Sequence, residues 1–104
     1  MGMSRTILLG AVAGEYIADI RISATVREKI ASKHNVSEQH VREALILTAL
    51  ESAGWVYDPA TDRLRLVVVG NCADPERRLK AYLYPVDPRE GIWRLGTAMW
   101  ARRV

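Results

Sequence analysis

The segment KHNVSEQHVR, residues 33–42, decides the helical part of the fold, because it contains the end of one helix and the start of another. Asn35 can end the first helix, since Asn tolerates the left-handed backbone conformation that follows a helix C-terminus. Ser37 can begin the second, because its hydroxyl accepts hydrogen bonds from amides of the first turn, where Glu38 is also favoured. We therefore predict a helix–turn–helix corner that carries both histidines of the chain.

The sequence on either side of this corner extends the two helices. Before it, a helix is predicted over Thr25–His34, with Glu28 completing a capping box of the Thr-x-x-Glu type. After it, apolar residues at helical spacing predict a longer helix over about Ser37–Ser52, ended by Gly54. Upstream of both helices, the alternation over Tyr16–Ile22 predicts a strand.

Beyond Gly54 the pattern changes to short alternating runs separated by turn residues, which is typical of strands. The predicted strands are Trp55–Tyr57, Arg63–Val69, Arg77 or Arg78 to Tyr84, and Ile92–Met99. Asp58–Asp62 is predicted as a turn and Cys72–Glu76 as a loop. The order of elements predicts an α+β fold, in which two N-terminal helices pack on one face of an antiparallel sheet of three to four strands.

The composition indicates a single small domain over residues 1–104, in which residues 1–15 form an N-terminal arm or an extra strand. Fifteen Lys and Arg against twelve Asp and Glu give a net charge of +3, so only their clustering would indicate a nucleic-acid partner. Cys72 is the only cysteine, which excludes an internal disulfide and fits a reducing compartment such as the cytoplasm. We expect no membrane-spanning segment, because no apolar run is long enough.

The basic residues of the predicted strands fall on one face of the sheet, because side chains alternate between the two faces of a strand. Leucines occupy the other face, which the helices are expected to cover. In the last strand, Trp93, Leu95 and Met99 are assigned to this covered face. The residues predicted to share the open face are Arg63, Arg65, Arg78, Lys80, Tyr82, Tyr84 and Arg94.

A face with these cations, two tyrosines and no acidic residue suits RNA. Cationic groups bind phosphates, and aromatic rings stack on unpaired bases. The solvated side of a half-covered sheet also favours Arg, Lys and Tyr, and an acidic surface of a partner protein would fit the same charges. The residues alone leave these alternatives open.

Metal-independent RNA cleavage needs an acid, a base and cations that neutralise the charge of the phosphorane. His34 or His40 could serve as acid or base near neutral pH, with Lys33 adding positive charge. A histidine at a helix end more often interacts with the helix dipole, so a structural role for His34 stays open. The sequence has no paired carboxylates, glycine-rich phosphate loop or metal-ligand spacing, and we expect no cofactor.

Several segments resemble BrnT-type toxins of the RelE/ParE superfamily, and they occur in the family's order along the chain. The corner KHNVS is similar to the family's Lys-His-Gly-Val-Ser, and the apolar strand LVVVG likewise ends in glycine. The next two segments resemble the family's Arg-x-Leu strand and its last strand. The matching segments are 33–37, 66–70, 78–83 and 93–98.

This resemblance implies a RelE-like fold and the toxin of a type II toxin–antitoxin pair, acting in the cytoplasm as a metal-independent ribonuclease or an RNA-directed translation inhibitor. It implies RNA, in association with the ribosome, and a cognate antitoxin as partners. By position, Lys33, His34, Arg78 and Arg94 would be catalytic. The residues expected to bind RNA are Arg63, Arg65, Lys80, Tyr82, Tyr84, Arg102 and Arg103.

Two departures from the family pattern support an alternative. The family's Ala-Arg near the C-terminus is Ala98-Met99 here, and its later Glu-Arg and Tyr segment has no counterpart, although Arg102 or Arg103 could replace the arginine in space. The alternative is a catalytically inactive RelE-fold protein that binds RNA or a partner protein. A third interpretation is a structural domain that forms a homodimer through its apolar N-terminal arm.

Overall fold

The computed structural model describes residues 10–12, 15–45, 50–73 and 76–101 of the chain. It is an α+β fold with two helices and a five-stranded mixed sheet. The helices are α1 (Ala24–His34) and α2 (Glu38–Ala44). The strands are β1 (Gly10–Val12), β2 (Glu15–Ile17), β3 (Asp19–Arg21), β4 (Leu50–Asp58), β5 (Arg63–Ala73), β6 (Glu76–Asp87) and β7 (Ile92–Trp100).

The large sheet has the strand order β3-β7-β6-β5-β4. The run from β4 to β7 is an antiparallel meander, which confirms that part of the prediction. β3 joins β7 in parallel, so the predicted antiparallel sheet of three to four strands was wrong in strand number and in the direction of one strand. The helices follow three short strands, of which β1 and β2 form a separate two-stranded ladder.

The strand predicted upstream of α1 is two strands that belong to different sheets. The amides of Ala18 and Asp19 both donate to the carbonyl oxygen of Gly91, at 2.8 and 3.0 Å, and turn the chain from β2 toward β7. Ile17 and Ile20 are both buried, although regular alternation would place them on opposite faces. The change of sheet at Ala18 removes this conflict.

The corner between the helices is confirmed. Asn35 follows α1 with a φ of 56°, and its amide donates to the carbonyl oxygen of Ala31. The Ser37 hydroxyl accepts from the His40 amide at 3.1 Å, and the His40 Nδ1 accepts from the Ser37 amide at 3.0 Å. His40 thus occupies the place that Glu or Gln has in a capping box, which gives this side chain a structural role.

An ion-pair cluster joins the two helices across the corner. Glu38 accepts from Arg42 of the same helix at 2.7 Å and from Arg27 of α1 at 3.2 Å. The hydrogen bond from Arg42 lowers the pKa of the Glu38 carboxyl, with a further contribution from Arg27. The cluster is partly exposed, so its main effect is to fix the angle between the helices rather than to add much stability.

Both helices begin or end differently from the sequence prediction. The N-cap of α1 is Ser23, whose hydroxyl accepts from the Val26 amide at 3.2 Å, so the capping box assigned to Thr25 and Glu28 was wrong. An extended Ser immediately before the first turn satisfies this amide, which leaves Thr25 inside the helix.

Helix α2 is much shorter than predicted. Its described part ends at Ala44 with Leu45 as the C-cap, while residues 46–49 lie outside the described part of the chain. Ser52 and Gly54, predicted to lie at the helix end, are in β4, where Gly54 pairs with Val67. Pairing with β5 gives β4 a ladder of backbone hydrogen bonds that is regular from Ser52 to Asp58, and such tertiary pairing overrides helix propensity.

Strands β5 and β6 are longer than predicted. Cys72, assigned to a loop, is a buried residue of β5, and its thiol donates to the Glu43 carboxylate of α2 at 3.5 Å. β6 begins at Glu76 and continues through Pro85 to Asp87. The longer ladder follows from the position of β5 and β6 in the middle of the sheet, where each strand has a partner on both sides.

The core lies between the helices and one face of the large sheet. Its helical contributors include Ile30 of α1 and Val41 and Ala44 of α2. The buried sheet residues packed against them are Ile20, Leu66, Val68, Cys72, Leu79, Ala81, Leu83, Trp93, Leu95 and Ala98. No helix in the described segments is long and apolar enough to cross a membrane.

Candidate nucleic-acid interface

The face of the large sheet opposite the helices is called the outer face below. In the cross-strand register, Tyr84 lies opposite Arg94, and Lys80 lies opposite Val69. The buried residues Leu66, Leu79, Ala81 and Leu83 alternate with these residues and lie on the helix side, which confirms the predicted division between the faces of β5 and β6. The predicted site residues on the outer face are Arg63, Arg65, Arg78, Lys80, Tyr82, Tyr84 and Arg94.

Cations cover the two tyrosine rings of the outer face. The Arg65 guanidinium carbon lies 4.1 Å from the centre of the Tyr82 ring, and Lys80 Nζ lies 5.7 Å from the same centre. The guanidinium carbon of Arg94 lies 4.5 Å from the centre of the Tyr84 ring. Cation–π attraction therefore holds three cations in place, and the rings support them rather than forming bare stacking platforms.

Asp58 also belongs to the outer face, so the prediction of a face without acidic residues was wrong. Its Oδ2 accepts from the Tyr84 hydroxyl at 3.1 Å and from Thr61 at 2.9 Å, and it lies 3.6 Å from Arg65. The Arg65 guanidinium in turn donates to the Tyr84 hydroxyl at 3.4 Å. Asp58 is only 6% exposed, so it fixes its neighbours and presents little negative charge to solvent.

The hydrogen bonds and ion pair between Asp58, Tyr84 and Arg65 stabilise the ionised forms of both the carboxylate and the guanidinium. Hydrogen bonds from Thr61 and the Ala60 amide, followed by those from Tyr84 and the charge of Arg65, lower the pKa of Asp58 despite its burial. Burial acts to lower the pKa of Arg65, but the Tyr84 hydrogen bond and the Asp58 charge outweigh it and raise that pKa. The cation is therefore permanent at physiological pH.

We expect Asp58→Asn to lower stability at neutral pH and to reduce the sensitivity of the fold to acid. Because the folded-state pKa of Asp58 lies below its unfolded value, its contribution is complete above about pH 4 and is lost as the pH falls through the lower folded pKa. Urea unfolding at pH 7 and pH 3 measures this difference. The wild type should lose more stability on acidification than the variant.

Asp62→Asn is the matched control, because Asp62 lies in the same hairpin turn and Asn tolerates its positive φ of 54°. Its carboxylate accepts from the Tyr57 hydroxyl at 2.6 Å and is not part of the network that joins Asp58, Arg65 and Tyr84. An equal change in acid sensitivity for both variants would contradict a special role for Asp58.

A β-bulge in β7 seats the Tyr84 ring. Leu83 pairs with Leu95 and Tyr82 with Thr97, so Gly96 is an extra residue between the two pairs. A Cβ atom at Gly96 would lie 2.3 Å from Tyr84 Cε2, which means that only glycine lets the ring lie against the backbone here. The Gly96 carbonyl oxygen accepts from Lys29 of α1 at 2.8 Å.

The same bulge corrects the assignment of Met99. Alternation from Trp93 places Met99 on the helix side, but the extra residue reverses the faces beyond Gly96. Met99 pairs with Lys80 on the outer face, and Ala98 is the buried residue. The position where the resembled family has an arginine therefore does lie on the outer face, with an uncharged side chain.

The remaining predicted RNA-binding residues differ in their surroundings. Arg63 is exposed at the start of β5, and Arg78 forms an ion pair with Glu51 of β4 at 3.4 Å. Arg102 and Arg103 lie outside the described residues. The structure adds Arg21, an exposed residue of β3 that pairs with Arg94 in the parallel ladder.

Lys33 and His34 lie at the end of α1, on the helix side of the sheet. The neighbouring Asn35 carbonyl oxygen accepts from the Trp100 indole at 3.3 Å, and Trp100 pairs with Leu79, which points into the core. The four residues that the resemblance marks as catalytic thus divide into two groups. Lys33 and His34 lie with the helices, and the two arginines lie on the outer face.

Sequence reasoning missed three contributors to these sites. Asp58 could have been found by continuing the alternation of β4 to the hairpin, which places it on the outer face opposite Arg63 and diagonal to Arg65. Arg21 required the parallel pairing of β3 with β7, which no local pattern indicates. The contact between Trp100 and His40, whose ring centres lie 5.1 Å apart, was also missed, because the two residues are distant in sequence.

No cluster of three or more His, Cys, Asp or Glu side chains suited to a metal ion occurs in the segments that the structure describes. Comparisons of this chain with protein-family models, curated proteins and solved structures find no match.

Proposed function

We propose that this chain binds single-stranded RNA on its outer face and thereby inhibits translation, as the RelE-like toxin of a toxin–antitoxin pair. The observation that carries the proposal is the set of cations fixed on Tyr82 and Tyr84. Arg65, Lys80 and Arg94 lie 4.1 to 5.7 Å from the ring centres.

Fixed cations suit an extended, flexible anion. A long side chain that is already held on a ring loses less conformational entropy when it binds a phosphate. The guanidinium planes of Arg65 and Arg94 also offer surfaces on which an unpaired base can stack, as Arg does in complexes with single-stranded RNA. Phosphate contacts from several strands of one sheet would bind the RNA backbone with little dependence on sequence.

The order of elements supports the RelE-like part of the proposal. Two capped helices joined by a tight corner precede an antiparallel meander, as the resemblance implies. The corner segment 33–37, one of the segments on which the resemblance rests, contains the end of α1 and the N-cap of α2. The parallel strand β3 is an addition that the resemblance did not lead us to expect.

The geometry favours inhibition by binding over cleavage by the residues that the resemblance implies. A general acid or base has to lie within hydrogen-bond reach of the proton it transfers. His34 belongs to the helix side of the sheet, whereas Arg94 belongs to the outer face. We therefore favour an RNA-directed translation inhibitor over a ribonuclease that combines these side chains in one site.

The cognate antitoxin of this proposal is a protein with an acidic segment. Such a segment would occupy the same cations as the RNA phosphates, so binding of the two would be competitive. Both partners would be met in the cytoplasm, where the ribosomes are.

We expect Arg65→Gln, Lys80→Gln and Arg94→Gln, combined in one variant, to weaken RNA binding strongly. Each phosphate contact on a single strand contributes about 0.7 to the slope of log affinity against log salt, so losing three contacts should reduce the slope by about 2. Fluorescence anisotropy of a labelled unstructured RNA oligonucleotide, titrated at several salt concentrations, measures both affinity and slope.

A control variant removes the same amount of charge from elsewhere. In this control, three exposed arginines that do not lie on the outer face are changed to Gln. They are Arg27 in α1, Arg77 on the helix side of β6, and Arg89 in the turn between β6 and β7. This control should retain most of the affinity and slope. Equal losses in both variants would mean that only net charge matters, and the outer face would no longer be assigned as the binding surface.

Induced expression tests the inhibition of translation. Growth arrest by the wild type and the control variant, but not by the outer-face variant, is the result expected of the proposal. RNA recovered from the arrested cells should be intact. Fragmented RNA would instead favour the ribonuclease. If expression is harmless although the protein still binds RNA, the toxin part of the proposal is contradicted and the RNA-binding part is retained.

A further inference from the structure

We propose that two copies of this chain form a dimer by antiparallel pairing of their β4 strands. This inference concerns the edge of the sheet and does not depend on RNA binding. Among the described strands, β4 pairs with β5 alone and ends the large sheet. An edge strand presents unpaired amides and carbonyls, which a second strand can satisfy.

The middle of β4 lacks the features that prevent edge-to-edge pairing, since the irregularity of its ladder lies between Leu50 and Ser52. Residues 52–57, SAGWVY, contain no charge and no proline, although the chain as a whole has a net charge of +3. Edges that remain single are usually interrupted by lysine, proline or a twist that turns them away. Two copies of a basic protein can approach along this uncharged stretch with little repulsion.

The side chains of this edge are apolar and exposed on both faces of the sheet. Trp55 and Tyr57 are 38% and 53% exposed on the helix side, and Val56 is 45% exposed on the outer face. Leu64, opposite Tyr57 on β5, is 56% exposed and extends the patch. Pairing would bury these side chains, and their burial supplies the main driving force for association.

The uncharged stretch of β4 favours a second copy in antiparallel orientation. The acidic residues at the two ends of the strand are already paired with cations, Glu51 with Arg78 at 3.4 Å and Asp58 with Arg65 at 3.6 Å. A two-fold axis near the middle of β4, perpendicular to the sheet, places residues 52–57 of the two copies against each other. The same axis keeps the helix sides of both copies together, so their exposed apolar side chains meet. The pairing is isologous and closes at two copies.

Sedimentation equilibrium of the wild type and of Val56→Lys tests the dimer. A lysine at this position places two like charges close to the two-fold axis, and it should raise the dissociation constant by about tenfold or more. Val86→Lys is the matched control, because Val86 is also 45% exposed but lies in β6, away from the edge. It should leave the dissociation constant unchanged.

A second variant, Tyr57→Lys, places the charge on the helix side of the same strand and should weaken the dimer in the same direction. Near-ultraviolet circular dichroism checks that each variant is folded. A wild type that stays monomeric up to high micromolar concentration would overturn the proposal. A dimer that both β4 variants leave intact, or an assembly larger than a dimer, would also overturn it.

Discussion

Gly70→Ala is expected to cost about 3 kcal/mol of folding free energy, because it forces helix α2 away from the sheet. A Cβ atom at Gly70 would lie 1.8 Å from the carbonyl oxygen of Ala44 and 2.8 Å from its carbonyl carbon. These are backbone atoms at the end of α2, so no change of side-chain rotamer relieves the overlap. Guanidinium chloride unfolding, followed by circular dichroism, measures the loss.

Gly54→Ala provides the control in the same sheet. A Cβ atom at Gly54 would meet no atom within 4 Å among those described, and Gly54 is an interior residue of β4. Since glycine weakens a strand by about 0.5–1 kcal/mol relative to alanine, this change should be neutral or slightly stabilising. Equal stabilities of the two variants would show that α2 does not approach β5 as closely as described.

Local sequence patterns predicted the faces of the sheet better than its extent. Alternation along β6 separated Lys80 and Tyr82 from the buried Leu79 and Ala81, because each side chain is directed to one face by the backbone alone. The corner at Asn35 was also predicted correctly, because the residues that cap the two helices act on backbone groups only a few positions away.

The errors arose where distant parts of the chain decide the structure. Leu50 and Ser52 fit a helical pattern, but pairing with β5 places both in β4. The bulge at Gly96 reverses the face of Met99, and its cause is the Tyr84 ring on the neighbouring strand. Tertiary contacts of this kind leave no periodic trace in the local sequence.

The sequence predicted which residues form most of the candidate site, but not how they contact one another. Five of the cations were assigned to the outer face, yet the carboxylate of Asp58 that joins Arg65 to Tyr84 was assigned to a turn. The omission matters for function, because Asp58 converts separate surface groups into a fixed network. A charge count along the strands cannot distinguish a solvated face from one with fixed cations.

Trp93→Ala is the second change with a large expected effect, a loss of about 3–5 kcal/mol. Trp93 is fully buried in β7, between Ile20 of the parallel strand and Pro85 of β6. Truncating the indole leaves a cavity that the surrounding strands cannot fill. Because a small domain has only about 5–15 kcal/mol of stability, much of it would be lost. Thermal and urea unfolding measure the change.

The consequences of Trp93→Ala should be greatest at β3. This strand has three residues, and its place in the sheet depends on pairing with β7 and on the contact between Ile20 and Trp93. Hydrogen exchange at the amides of β3 should therefore accelerate before that of β5 and β6.

Trp93→Phe should show an intermediate loss of stability. Trp55→Ala, compared at a protein concentration too low for β4 pairing, is the control, since Trp55 is 38% exposed although its ring centre lies 5.8 Å from that of Trp93. Equal losses for Trp93→Ala and Trp55→Ala would mean that Trp93 does not hold the parallel strand in the sheet.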